Sequence, residues 1–342
     1  MRRVLVVRLD GAGDVLLCGP AVRAIAARAE VTMLCGPAGT DAGRLLPGVA
    51  EVLTWASPWV LAEPPAVRAE DLDRLVTCLA TRRFDEAVVL TSFHQSPLPT
   101  ALVLRLAGIE RITGASVDYP GTLLDVRLRP GEDLCEDLPE AQRMAAIAAA
   151  AGYPVLDGGR LAVHPVPAVT DLVPGGRYVV VHPGADAQAR RWPAAEACRA
   201  VALLTAAGWR VVVTGSPVER DLTAAVAGRA GVDLGGRTDL AQLSGVLAGA
   251  TAVVVGNTGA AHLAAAVGTP VVSLFAPVVP AARWAPYGVR HVLLGDQWAP
   301  CRGSRARDCP VPGHPCLASV TAETVTRSVA SLVGEPLVEV SA

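Results

Sequence analysis

The residues able to do chemistry in this chain stand directly after apolar runs, where a strand pattern gives way to a helix pattern. Residues 252–275 read AVVVGNTGAAHLAAAVGTPVVSLF: an apolar run ends at Gly256, Asn257 and Thr258 follow, and Gly259 opens a small-residue helix that carries His262. The first N–H groups of a helix have no intrahelical partners, so its start can receive an anion, and a phosphate-bearing ligand is the natural occupant. Near the N-terminus, residues 4–8 read as a strand, Leu9-Asp10-Gly11-Ala12-Gly13 as a tight loop, and Asp14 stands where a helix running through residues 20–28 begins. Gly11-Ala12-Gly13 suggests a dinucleotide fingerprint, but Leu16 occupies the place of its third glycine. Asp14 would also repel a pyrophosphate, so its carboxylate suits a hydroxyl better.

Strand and helix patterns that position these residues alternate along the whole chain. In the first half, strands are expected at residues 4–7, 31–34, 52–54 and 87–90, with helices near 20–28, 69–81 and 97–107. In the second half, strands at 178–181, 211–214, 252–255, 271–275 and 291–294 alternate with helices near 193–207, 218–227, 240–248 and 259–267. The class is α/β: two Rossmann-like, doubly wound parallel sheets facing a central cleft. Prolines and paired glycines in residues 163–177 break both periodicities and mark a hinge. The expected division is residues 1–165, a linker at 166–177, and 178–342, with a last helix near 322–332 placed to pack back on the first domain.

Ligands of open parallel sheets bind outside the carboxyl ends of the strands. Position alone therefore gathers Asp10, Gly13, Asp14, Ser92, Phe93 and His94 from the first domain. The second contributes His182 to Asp186, Arg190, Arg191, Ser216, Glu219 and Asn257 to His262. A carboxylate on one side, with arginines and helix starts on the other, points to attack by a neutral hydroxyl on an anionic, phosphate-activated donor.

Composition narrows the field. The 342 residues are 51% hydrophobic with only 4% aromatics, which suits two cores of alanine, valine and leucine. Net charge is −2, lysine is absent and the arginines are interspersed with acids, so no basic stripe offers itself to nucleic acid. The first apolar run is too short for a signal peptide and no run reaches membrane-spanning length, which predicts a cytoplasmic protein with at most peripheral contact to the inner membrane face. Cys18, Cys35, Cys78, Cys135 and Cys198 sit among apolar neighbours as buried thiols would. Cys301, Cys309 and Cys316 cluster with His314 in a Pro- and Gly-rich stretch, but without a Cys-x-x-Cys pair free thiols or one labile disulfide are favoured over a metal site. Asp71-Leu72-Asp73 lies in an amphipathic helix and reads as solvated surface.

Four blocks resemble the glycosyltransferase family of bacterial ADP-heptose:lipopolysaccharide heptosyltransferases. They are RLDGAGDVLLCGPAVRAI at 8–25, HPGADAQARRWP at 182–193, TGSPVERDL at 214–222 and GNTGAAHLAAAVGTPVV at 256–272, in family order. The resemblance implies a GT-B architecture, inversion at the anomeric carbon, and a nucleotide-diphosphate sugar such as ADP-heptose as donor, with no metal or other cofactor required. Asp14 resembles the catalytic base; an N-cap role is the alternative. Arg190 stands where the family commonly has lysine on the donor phosphate, and it keeps the charge while adding a bidentate fork. Glu219 resembles the acid that binds ribose, in company with Ser216, His182 and Gly184. Asn257 stands where the family commonly shows aspartate near the donor sugar, with His262 beside it. Backbone N–H groups of Gly13, Thr258 and Gly259 would meet the diphosphate. Asp10, Phe93 and His94 fall on the acceptor side, and Trp55 and Trp59 are candidates to line that site. The acceptor is a glycan, a lipid-linked core or a small molecule of secondary metabolism. A nucleotide-sugar epimerase, a Rossmann oxidoreductase and a non-catalytic binding protein are the competing classes.

Overall fold

The computed structural model describes residues 1–334, and the chain forms two compact units that divide between His164 and Pro165. In the first unit, β1 (Arg2–Arg8), β2 (Ala29–Cys35), β3 (Val49–Thr54), β4 (Glu86–Val89), β5 (Arg111–Ala115) and β6 (Val126–Leu128) form one parallel sheet in the order β3-β2-β1-β4-β5-β6. Residues Val4 to Val7 are essentially inaccessible, because a central parallel strand is covered on both faces and so needs an unbroken apolar run. In the second unit, β7 (Tyr178–His182), β8 (Arg210–Val213), β9 (Val232–Asp233), β10 (Ala252–Gly256), β11 (Val271–Leu274) and β12 (His291–Leu294) run in the order β12-β11-β10-β7-β8-β9. Counted from each unit's own first strand, both sheets have the 3-2-1-4-5-6 order of dinucleotide-binding folds.

Sequence periodicity found the long, strongly patterned elements and missed the short ones. β5 contains a glycine and a single large apolar residue, while β6 and β9 have three and two residues, so their pairing is decided by neighbours and not by pattern. The helix expected after β1 is two helices, Ala12–Leu17 and Gly19–Ala26. Pro20 has no N–H to give the Leu16 carbonyl, so the ladder breaks at Cys18 and restarts from the Cys18 carbonyl. Helix Glu140–Ala150, which the periodicity did not reveal, packs on Gly19–Ala26 and buries Glu140, Arg143, Met144 and Ile147. The final helix, Ala322–Val333, lies against helix Ala194–Ala206 of its own unit and places Val325, Val329 and Leu332 in that core. Among the described residues no helix is long and apolar enough to cross a membrane.

Two glycines after β2 let its loop press against the loop after β1. A side chain on Gly36 would overlap the Leu9 carbonyl, and one on Gly39 would stand 2.8 Å from the Asp10 carbonyl oxygen. Both obstacles are backbone, which cannot rotate away. Gly36→Ala is therefore expected to destabilise the first unit by about 1–3 kcal/mol, an overpacking cost read as a lower urea midpoint; an unchanged midpoint would show that the loop yields freely.

Candidate functional site

Each unit reverses its strand order between its first and fourth strands, the place where open α/β sheets bind ligands. In the first unit that point lies between β1 and β4, and a guanidinium occupies it. Arg8, only 1% exposed, donates from Nη2 to Asp14 Oδ1 at 2.8 Å and to Ser92 Oγ at 2.7 Å. Its Nε lies 2.7 Å from Asp10 Oδ2 and its Nη1 3.7 Å from Oε2 of the buried Glu140. Burial opposes the charge on Arg8, but the carboxylates of Asp10 and Asp14 outweigh it and hold the group protonated beyond the ordinary arginine range. Burial likewise pushes the Asp10 carboxyl upward while Arg8 pulls it back. Gln95 ties the loop after β4 to the same cluster, donating to Asp10 Oδ1 and accepting the Ser92 N–H at 3.1 Å.

Asp14 is the accessible acid of this group, with 31% of its side chain exposed against 14% for Asp10. It is the third residue of helix Ala12–Leu17, whose N-cap is Gly11, so the N-cap reading of Asp14 is replaced by a first-turn position. Gly13 lies in the same turn and not in a loop. Phe93 and His94 follow β4 and meet edge to face with ring centroids 5.1 Å apart; Phe93 is half-buried and His94 exposed.

The second unit gathers two groups. His182 ends β7, and its Nδ1 lies 3.0 Å from Thr214 Oγ1. Burial lowers the imidazole pKa against the pull of Glu219 and Asp186, so the ring is neutral at neutral pH. Glu219 is fixed by Ser216, whose N–H and hydroxyl both donate to Glu219 Oε2 at 2.8 Å in a capping box. The carboxylate of Glu219 rests against Gly184, where a Cβ would collide with it. His182, Gly184, Ser216 and Glu219 thus form one constellation.

Arg190 ends the short turn Gln188–Arg190 and donates from Nη1 to the Asn257 carbonyl at 3.4 Å. The backbone carbonyl of Arg190 stands where a Cβ on Gly256 would come within 3.0 Å, which brings the two loops together. Arg191 is exposed and donates from Nε to the Ala185 carbonyl at 2.8 Å. Asn257 is buried; its amide donates to the Ala276 carbonyl and accepts the Ala276 N–H, each at 3.4 Å. An aspartate could only accept there, so this exchange accounts for asparagine. Thr258 caps helix Gly259–Ala266, and its buried hydroxyl oxygen has no hydrogen-bond partner among the described residues. His262 is buried inside that helix.

Other sequence candidates part company. Cys301, Cys309 and Cys316 are free thiols, the first and last buried in the core, while His314 Nε2 lies 3.1 Å from the Ala189 carbonyl. Among the described residues no group of three or more His, Cys, Asp or Glu side chains is placed to hold a metal ion. Asp71 is not simply solvated surface: it pairs with Arg74 and lines a pocket. Sequence reasoning missed Arg8, Gln95 and Glu140 as members of the first cluster. A charge closing the apolar run Val4 to Val7 was the one available signal for Arg8.

Two sheets of this order, each carrying polar loops at its switch point, define the GT-B class of glycosyltransferases. The chain belongs to glycosyltransferase family 9 (heptosyltransferase), whose profile matches residues 138–312, just over half of its length. It is 29% identical over 332 residues to lipopolysaccharide heptosyltransferase 1 of Pseudomonas aeruginosa, covering 87% of this chain and 86% of that protein. Its fold is similar to that of the E. coli heptosyltransferase WaaC solved with ADP-2-deoxy-2-fluoro heptose, with TM-score 0.72, 21% identity, and coverage of 96% of this chain and 99% of the other. It is also similar to a family 9 glycosyl transferase from Veillonella parvula, with TM-score 0.77, 14% identity and 97% of both chains covered. The protein is a glycosyltransferase.

Two outcomes follow from the second-unit geometry. Gly184→Ala should displace the Glu219 carboxylate from Ser216 and destabilise the second unit by about 1–3 kcal/mol, an overpacking cost read as a lower urea midpoint. His182 is neutral when folded, and the unfolded imidazole takes a proton below about pH 6.5, so the unfolded state binds more protons there and stability falls as pH drops through that region. His182→Asn should flatten that acid loss of thermal stability; a slope equal to that of the parent protein would contradict the assigned cause.

Proposed function

We propose that this enzyme transfers a heptose from ADP-heptose to an acceptor hydroxyl with inversion, and that Asp14 is the general base. The observation that carries this reading is the cluster at the end of β1: Arg8 and Glu140 are buried, Asp10 is mostly covered, and Asp14 presents about a third of its side chain to solvent while Arg8 fixes its direction. The resemblance of residues 8–25 to the family's base-bearing block supports the same assignment. The acceptor oxygen forms a bond to the anomeric carbon, the bond from that carbon to the diphosphate oxygen breaks, ADP departs, and Asp14 takes the hydroxyl proton.

The second unit is suited to the donor. Charge building on the departing diphosphate would be met by the Arg190 guanidinium and by the N–H groups that open helix Gly259–Ala266, with the Thr258 hydroxyl beside them. Glu219, already aimed by Ser216 and Gly184, would accept from the ribose hydroxyls, and the neutral His182 adds no charge to oppose a base or ribose. Asn257 and His262 would stand at the sugar, with Asn257 acting chiefly through its carbonyl neighbours because its amide is spent on Ala276. The sugar bound by the WaaC structure is a heptose analogue, which supports heptose here.

Asp14→Asn keeps the size and the bond to Arg8 but removes the proton acceptor. Transfer from ADP-heptose, followed by mass spectrometry of the products, should fall by about 10²–10⁴ while ADP affinity is retained. Glu219→Ala should do the reverse, weakening ADP about tenfold with a smaller change in kcat. Full turnover by Asp14→Asn would remove it as the base.

A further inference from the structure

The short turn Gln188–Arg190 is closed by two backbone hydrogen bonds, from the Arg190 N–H to the Ala187 carbonyl at 2.9 Å and from the Arg191 N–H to the Gln188 carbonyl at 3.0 Å. A long side chain is aimed from its backbone outward, so whatever fixes this turn fixes the reach of the Arg190 guanidinium. The Pro- and Gly-rich stretch that carries Cys301, Cys309, His314 and Cys316 does so. Ala189, the buried residue just before Arg190, spends both backbone polar groups on it: its N–H donates to the Arg307 carbonyl at 2.8 Å, and its carbonyl accepts from His314 Nε2 at 3.1 Å. Gln188 Oε1 accepts the Cys309 N–H at 2.9 Å. Cys301 and Cys316 bury their thiols in the core that also holds Ala189 and Trp192, and so root both ends of the stretch as small apolar side chains. Beyond the turn, the Trp192 indole N–H donates to the Val320 carbonyl at 3.0 Å.

His314 is the least expected member of this set. Its backbone has φ 50° and ψ 50°, the left-handed region that glycine takes most readily. Glycine there would relax the chain but lose the bond to Ala189. A side chain kept at such a position, one contact away from the neighbour of Arg190, has a use beyond packing. A carbonyl oxygen can only accept, so Nε2 carries the proton, and the bond persists whether the ring is neutral or charged.

Resting on the donor reading above, we propose that residues 307–314 form a brace that aims Arg190 at the donor diphosphate, and that His314 is its positioning residue. The brace acts through the backbone of the turn and touches no substrate.

The test is calorimetric titration of the full-length protein with ADP. His314→Gly suits the left-handed backbone while removing the imidazole, and should weaken ADP about fivefold with an unchanged circular dichroism spectrum. His314→Gln supplies a donor of similar reach and should return ADP affinity to within about twofold of the parent. Arg190→Gln should weaken ADP about tenfold. Adding His314→Gly to Arg190→Gln should weaken it no further, because the brace then has no guanidinium to aim, whereas a general loosening of the fold would act in both backgrounds. Gln188→Ala leaves the backbone at 314 untouched and should show the same pattern with a loss of about threefold, which keeps the test open should His314→Gly not fold. Parent affinity in folded His314→Gly, or equal losses with and without Arg190, would overturn the brace and leave the Arg190 assignment standing. Parent affinity in Arg190→Gln would instead remove the donor assignment on which the brace rests.

Discussion

A buried guanidinium at the end of the first strand holds the polar loops of the first unit in place. Taking Arg8 out of water costs several kcal/mol, and only partners on every side offset that. Asp10 comes from the next loop, Asp14 from the first turn of the helix that follows it, Ser92 from the loop after β4, and Glu140 from a helix packed beneath. Removing one partner of such a pair commonly costs about 3–5 kcal/mol, because the remaining charge is stranded. The same constraint orients Asp14: a carboxylate with one oxygen held by a residue that cannot move is aimed before any substrate arrives. Preorganisation of that kind is what general-base chemistry needs.

The second unit repeats the strand order with the opposite chemistry. Where the first unit buries a cation under carboxylates, the second brings together a helix start, an arginine and a constrained acid. Small residues do much of this positioning. Gly184 admits the Glu219 carboxylate, and Gly256 admits the Arg190 carbonyl. Asn257 joins the loops after β10 and β11 through the Ala276 backbone, so a residue that differs from the family's usual aspartate has a structural reason to be there.

Family membership bears on the reaction, and the pocket beside β3 joins Trp55 and Leu75 to the polar Thr54, Arg68, Asp71 and Arg74.

Runs such as Val4 to Val7 and Ala252 to Val255 were legible as buried strands because burial on both faces demands an uninterrupted apolar run, and the loops that follow them were legible as candidate sites because open α/β sheets bind ligands at strand ends. His182, Gly184, Ser216 and Glu219 were named from sequence, and they meet. Hidden from it were β5, β6 and β9, too short for a period to show, and the break at Cys18, where one proline outweighs a continuous apolar pattern. Also hidden was the company of Arg8. Glu140 lies more than a hundred residues away on a helix whose alanine-rich pattern announces nothing, and Gln95 looks like any loop residue. Local chemistry and periodicity are written in neighbouring residues, so the chain alone determines strands, helix starts and candidate acids. Which distant charges pair in the interior depends on where the crossovers bring them, and that only the tertiary structure decides.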